Sequence, residues 1–263
     1  MEYALWVRDM SVSYLDSAPQ DVSGKQILLF FHGWGASKET FSPVIDALSE
    51  RYRIIAPDLP GFGKTGEPDR PWDAGDYASF IDAFIDALGL GDKSFTVCGH
   101  SHGGRISIKW IATLARAGLK RLILIDSAGL KARHGLLWYT KVYVYKAGKA
   151  LTRLPLIGGL LAGFAVRMAD RAGSQDYRRA SPLMRRTMSL ALEEDMSVYL
   201  PKIRVPTLIF WGAQDTVTPL ADGRKMEREI PDAGLVVLSP AGHYSYLDQL
   251  PVFLRTLVYF MEH

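Results

Sequence analysis

Short apolar runs, each rich in β-branched or aromatic side chains, recur along this chain with helical patterns between most of them. That alternation restricts the fold more than any other feature. The runs are Gln26–Phe31, Tyr52–Ala56, Ser94–Cys98, Arg121–Ile125, Thr207–Trp211 and Leu235–Leu238. They are apolar throughout rather than alternating, as strands are in a sheet covered on both faces. Helical patterns occupy Phe41–Arg51, Ala74–Leu88, His102–Ala117, Leu220–Ile230 and Leu247–Glu262. Such a succession winds into one mostly parallel, twisted sheet with helices on both faces, so the class is α/β. At the start, Tyr3–Val7 and Ser11–Leu15 flank Arg8-Asp9-Met10 and predict an antiparallel hairpin at the sheet edge.

The alternation stops after Ile125 and resumes at Val205-Pro206-Thr207. Between them lie only helical patterns broken by Gly and Pro: Leu136–Arg153, Leu156–Arg171 and Ser181–Leu200. A helical block inserted between two sheet strands is expected to cap the carboxyl edge of the sheet. The division is therefore a core of residues 1–127 and 205–263 and a cap of residues 128–204. A length of 263 residues, just under two domains at about 150 residues each, accommodates one core with one insertion. Charge divides the same way. The chain carries 31 Lys and Arg against 28 Asp and Glu, a net +3 with no polybasic footprint of a nucleic-acid binder. Residues 128–204 alone hold 14 cations and 5 anions, a local +9 over a remainder of −6. A basic lid suits an anionic substrate, and the aromatic, basic stretch Leu136–Lys146 also has the composition of a membrane-surface helix. A simpler arrangement has its aromatics facing the pocket and its cations facing water.

Other features narrow the class. An apolar content of 48% with 22% charged residues is globular rather than disordered. The single cysteine, Cys98, excludes an internal disulfide framework and any cysteine-built metal site, and its place at a strand end marks it as a core residue. The N-terminus lacks the basic start and apolar run of a signal peptide. The longest apolar stretch, Leu154–Val166, is thirteen residues interrupted by Pro and Gly, too short for a membrane span. A soluble, cytoplasmic protein is expected.

The strongest chemical signal is Gly99-His100-Ser101-His102-Gly103-Gly104, placed directly after a strand and directly before a helix. G-x-S-x-G in that setting forms a nucleophile elbow, a tight turn that holds the serine strained at the head of the helix. Gly flanks the turn because a Cβ there would strike the neighbouring strand or helix. A serine hydroxyl needs a general base, and the base needs an orienting acid. In this elbow type the chain order is Ser, then Asp or Glu, then His. His243, in the loop Ala241-Gly242-His243-Tyr244 after a strand, is the expected base, since a parallel sheet presents ligand-facing residues at its carboxyl end. Asp215, just past Thr207–Trp211, is the expected acid. Asp126, at the end of the preceding strand, competes for that role and is better placed to anchor the hinge of the cap. The glycine-rich His32-Gly33-Trp34-Gly35 follows another strand at the same edge. The backbone N–H groups of Trp34 and His102 are expected to form the oxyanion hole, and His32 to serve as a structural hydrogen-bonding residue. Trp34, Trp138 and Tyr139 are candidates to wall the substrate pocket. His100 and His102 form an H-x-H with no third ligand at metal spacing, so no metal site is assigned. Gly61, Gly63 and Gly66 lie after a strand with no helix N-terminus close behind, which makes a turn and not a phosphate loop.

Taken in order, His32-Gly33-Trp34-Gly35, Asp58-Leu59-Pro60-Gly61-Phe62-Gly63, the elbow, Trp211-Gly212-Ala213-Gln214-Asp215 and Gly242-His243 closely resemble the α/β-hydrolase fold family. The likeness is to its small capped esterases and carbon–carbon bond hydrolases, and it spans about residues 26 to 260 apart from the cap. It implies Ser101 as nucleophile, Asp215 as acid, His243 as base, Trp34 and His102 as backbone donors, and neither a metal nor an organic cofactor. Dehalogenases and epoxide hydrolases of this fold place Asp at the elbow, so Ser101 points to acyl transfer. The expected activity is a carboxylesterase acting on small to medium esters. One alternative is hydrolysis of a carbon–carbon bond in a vinylogous keto acid, although that branch typically carries Asn where His100 stands. Another is a small-molecule receptor or signalling protein that retains the triad.

Overall fold

The computed structural model describes residues 1–19, 24–114, 116–131 and 180–263. Eight strands form one sheet: β1 (Glu2–Val7), β2 (Met10–Asp16), β3 (Ile27–Phe31), β4 (Arg53–Pro57), β5 (Phe95–His100), β6 (Leu119–Ile125), β7 (Thr207–Gly212) and β8 (Ala233–Leu238). Their order is β1-β2-β4-β3-β5-β6-β7-β8. The hairpin β1–β2 is antiparallel and joins β4 antiparallel, while every pairing from β4 to β8 is parallel. The described helices are α1 (Ser42–Leu48), α2 (Ala74–Ala87), α3 (His102–Leu114), α4 (Pro182–Glu193), α5 (Leu220–Glu229), α6 (Ser245–Asp248) and α7 (Leu250–Glu262). Short 3₁₀ turns occupy Lys38–Phe41 and Met196–Lys202. Among the described residues no helix is long and apolar enough to cross a membrane.

The all-apolar strands follow from burial on two sides. In β3 every residue is buried, yet successive side chains enter different cores. Ile27, Leu29 and Phe31 pack with Tyr77, Ile81 and Phe84 of α2 and with Ile106 of α3. Leu28 and Phe30 pack with Val44 and Leu48 of α1 and with Phe253 and Leu257 of α7. A strand of period two with no polar face can sit only between two such layers.

Several boundaries differ from the sequence pattern for identifiable reasons. The helix expected over Phe41–Arg51 is a 3₁₀ turn followed by α1, with Pro43 in its first turn. The one expected over Leu247–Glu262 is divided at Gln249 (φ −125°, ψ 43°), and α7 starts afresh around Pro251. The pattern over Ser181–Leu200 resolves into α4 and the 3₁₀ turn Met196–Lys202, separated at Glu194-Asp195. The stretches Leu136–Arg153 and Leu156–Arg171 lie outside the described residues. Residues 180–203 pack closely on the sheet layers, and Met184, Met196, Leu200 and Ile203 are buried among the side chains of α2 and α3.

A buried ion cluster fixes the loops that follow β3 and β4. The Lys38 side chain is fully buried and donates to Asp58 Oδ2 at 2.7 Å, with Glu39 Oε1 at 2.9 Å and Glu2 Oε1 at 3.2 Å. Burial would drive the ammonium to lose its proton, but the hydrogen bonds to Asp58, Glu39 and Glu2 outweigh it and raise its pKa. The Asp58 carboxylate also accepts from the backbone N–H groups of Lys38 and Lys64. One carboxylate thus ties the chain after Trp34 to the turn after Gly63. Removing one partner of a buried pair strands the other, so Lys38→Met is expected to cost about 3–5 kcal/mol of stability. Urea unfolding checks this, and a loss under 1 kcal/mol would show that the cluster does not hold these loops.

Candidate active site

β5 delivers the chain to the elbow at the carboxyl edge of the sheet. Ser101 has φ +49°, a left-handed conformation that costs a residue with a Cβ about 1–2 kcal/mol. Three backbone hydrogen bonds hold it: Ser101 N–H to the Ile125 carbonyl, and the Arg105 and Ala128 N–H groups to the Ser101 carbonyl, all 3.0–3.1 Å. The turn closes because of two glycines. A Cβ on Gly103 would sit 1.9 Å from the Phe31 carbonyl oxygen, and one on Gly99 would sit 2.6 Å from the Gly104 Cα. Helix α3 therefore docks directly on the backbone of β3.

The loops after β7 and β8 bring the other candidates to Ser101. His243 Nε2 lies 2.9 Å from Ser101 Oγ, and His243 Nδ1 lies 2.8 Å from Asp215 Oδ2. A carboxylate only accepts, so Nδ1 carries the proton and Nε2 presents a lone pair to the serine hydroxyl. The Asp215 Oδ1 accepts the N–H groups of Val217 and Thr218 at 2.7 and 3.0 Å, and Oδ2 accepts the Thr218 hydroxyl at 2.7 Å. Burial alone would raise the Asp215 pKa, but hydrogen bonds from His243 and Thr218 outweigh it and hold the carboxyl below its ordinary value. Asp215 is also too committed to its own turn to cap α5, whose N-cap is Pro219 with no side-chain hydrogen bond.

Asp126 stands beside this set without touching His243. Its φ is +44° and its carboxylate is wholly buried. Oδ1 accepts the Gly212 N–H at 2.8 Å and Oδ2 accepts the Ser245 N–H at 3.0 Å. This carboxylate staples the end of β7 to the loop carrying His243. Burial pushes its pKa up to about 7.

The three other histidines at this edge are buried and neutral. His32 donates from Nδ1 to the Gly33 carbonyl and accepts the Leu59 N–H at Nε2, the structural role expected of it, and burial pulls its pKa to about 4. His100 donates from Nε2 to the His243 carbonyl at 2.8 Å, linking the residue before Ser101 to the base loop. Burial takes His100 and His102 to about 3. Trp34 and His102 meet edge to face with ring centroids 5.3 Å apart, and Gly33 is close enough that its missing Cβ would lie 3.2 Å from Ser101 Cβ. As the first residue of α3, His102 has an N–H with no acceptor within the helix.

Trp34, His100, Ser101, His102, Thr218 and His243 line a cavity of about 480 Å³. Its walls are largely apolar, with Trp34, Leu130, Met188, Ala191, Leu192 and Val217 among them. Trp138 and Tyr139, the other expected pocket residues, lie outside the described residues. Two polar residues at the cavity carry no motif. Thr218 is legible only as a D-x-x-T spacing from Asp215. Arg105 sits one turn beyond Ser101 on α3, where a helical pattern alone does not tell a buried position from an exposed one. The site as a whole can activate Ser101 Oγ by transferring its proton to His243, with Asp215 stabilising the resulting charge.

The family model for the alpha/beta hydrolase fold matches residues 26–250. Lipase 3 of Moraxella sp. (strain TA144) is 27% identical over 248 residues, covering 87% of this chain and 74% of the lipase. The 2-hydroxy-6-oxo-6-(2'-aminophenyl)hexa-2,4-dienoic acid hydrolase of Metapseudomonas resinovorans is 26% identical over 249 residues, covering 90% of this chain and 84% of that enzyme. Among solved structures, an esterase from Exiguobacterium antarcticum superposes with a TM-score of 0.75 at 26% identity, covering 100% of each chain.

The hydrogen bonds at Asp215 generate a pH-dependent expectation. A depressed carboxyl pKa contributes stability that is complete above the ordinary value of 3.8 and is lost as pH falls through the folded value. Thr218→Val removes one hydrogen bond to this charge and is expected to cost about 1.5–3 kcal/mol at pH 7. The gap between native and variant protein should narrow as the pH is taken to 3. Chemical unfolding at both pH values measures it, and a pH-independent gap would mean that the hydroxyl does not act on the Asp215 charge.

Proposed function

The chain belongs to the α/β-hydrolase fold family, and from that premise we propose that it is a serine hydrolase cleaving carboxylic esters of small to medium size. The observation that carries this reading is the unbroken hydrogen-bonded series from Ser101 Oγ through His243 to Asp215. His243 Nε2 takes the Ser101 proton as Oγ attacks the ester carbonyl carbon. The tetrahedral oxyanion is held by the N–H groups of Trp34 and His102. His243, now protonated, gives its proton to the departing alcohol, leaving an acyl ester on Ser101. A water then attacks that ester, His243 again acts as base, and the carboxylic acid is released. Residues 128–204 serve as a lid over the cleft. Both the largely apolar cavity and the likeness to a lipase and an esterase support an ester substrate.

A second reading, hydrolysis of a carbon–carbon bond in a keto acid, is favoured by the likeness to the dienoic acid hydrolase. Against it stands His100, whose side chain is engaged with the His243 carbonyl.

A fluorophosphonate probe should label Ser101, and Ser101→Ala should abolish labelling and lower kcat for chromogenic esters by about 10⁴-fold or more. Ester hydrolysis undiminished in Ser101→Ala would refute the nucleophile. Feeble ester turnover beside rapid cleavage of a dienoate keto acid would establish the second reading instead.

A further inference from the structure

Arg105 is 4% exposed and lies in the wall of the cavity, one helical turn past Ser101 on α3. Its Nη1 donates to the carbonyls of Ala191 at 2.5 Å and Glu194 at 2.8 Å, at the carboxyl end of α4. A guanidinium has five N–H groups, so these bonds leave Nε–H and both Nη2–H groups. No described residue accepts from them, and Arg105 forms no ion pair with any described carboxylate. Arg105 is a lining residue of the cavity, and its Nε and Nη2 make no hydrogen bond to a described residue. Burial lowers its pKa only to about 10, and the group is charged at neutral pH. The Glu194 and Asp195 carboxylates offset the charge from a distance but form no ion pair with it, and a buried cation lacking a direct partner is costly. The free edge, Nε and Nη2, is the fork that a carboxylate meets with two parallel hydrogen bonds.

The surroundings favour the same partner. Leu130, Met188, Ala191 and Leu192 line the same cavity and offer the guanidinium no counter-charge. Lys109, one turn further along α3, is by contrast fully engaged with Glu194 and Tyr199. Asp222 also lines the cavity but makes no ion pair with Arg105.

We propose that Arg105 receives a carboxylate of the substrate, so that the preferred esters carry an anionic group a few bonds from the scissile carbonyl. Four residues along α3 advance about 6 Å, a distance that two to four methylenes span. The assignment rests on the reading of Ser101 as the nucleophile of an ester hydrolase. A fully apolar cavity floor would accept neutral chains only; the arginine converts one end of it into a charge-selective subsite.

The test compares charged esters with apolar isosteres. Monomethyl glutarate and methyl 5-methylhexanoate form the acyl-side pair, and 3-acetoxypropanoate and 3-methylbutyl acetate the alcohol-side pair. Native protein is expected to show a kcat/KM at least tenfold higher for the charged member of one pair. Arg105→Met should bring that ratio close to one, and Arg105→Lys should restore part of it. A role confined to fastening α4 would lower both members equally and leave the ratio intact, which would overturn the proposal. Cleavage of neutral esters with no preference for charge in either pair would also overturn it while leaving the esterase reading in place. If no ester is cleaved, that reading fails, and calorimetry on Ser101→Ala decides the role of Arg105 separately. Binding of monomethyl glutarate that disappears in Ser101→Ala/Arg105→Met supports the subsite; no binding to Ser101→Ala refutes it.

Discussion

A serine held at φ +49° stays there only if its surroundings leave it no alternative, and here the surroundings reduce to one close approach. Gly103 meets the Phe31 carbonyl where no Cβ fits, so α3 begins against the backbone of β3 rather than a side chain's width away. The helix start is then fixed relative to two neighbouring strands, because Ser101 N–H is also bonded to the end of β6. Orientation of the hydroxyl, the placement of the first α3 amide and the position of Arg105 one turn later all descend from that contact. The strain of the turn, about 1–2 kcal/mol, is small beside the apolar burial of α3 against β3 and α2.

Asp215 and His243 are held by a second device. Asp126 bonds the end of β7 and the loop of His243 with its two carboxylate oxygens, while Thr218 bonds Asp215 and lies 3.3 Å from His243 Nδ1. Asp215 thus has a polar neighbour within its own loop, and the loop of His243 has one at the end of β6. The buried histidines contribute shape and hydrogen bonds but no charge, since burial keeps His32, His100 and His102 neutral. Of the ionisable groups that are acidic or basic at neutral pH, Arg105 and Asp222 line the cavity, while Asp215 lies behind His243 and reaches it through the imidazole.

Much of this was legible in the amino-acid sequence because strand ends carry strong local signals. Continuous apolar runs such as Ile27–Phe31 announce a doubly covered sheet, and glycines around Ser101 announce the elbow. Asp215 and His243 were legible through position, each lying just after a strand in the order this elbow demands. What escaped depends on tertiary partners. Lys38 reads as an ordinary surface lysine until Asp58, twenty residues away, is seen beneath it. The beginning of β8 at Ala233-Gly234 looks like a turn, since only pairing with Thr207 and Leu208 makes it a strand. Asp126 was expected at the hinge because it precedes the cap in the chain, whereas its partners, Gly212 and Ser245, come from far along the sequence. Arg105 has no local mark at all, because α3 is buried on nearly every side.

The hydrogen bond from His100 to the carbonyl of His243 has a consequence for how such a protein can diversify. It measures the loop of His243 from the residue adjoining Ser101, along a path confined to the strand ends. The separation of Ser101 Oγ and His243 Nε2 is therefore referenced to the sheet and not to the segment that supplies Met188, Ala191 and Leu192 to the cavity wall. Sequence change in that segment can reshape the entrance and the walls while the reacting atoms keep their spacing. Innovation in what is admitted and constancy in how it is attacked are, in this architecture, assigned to different stretches of one chain.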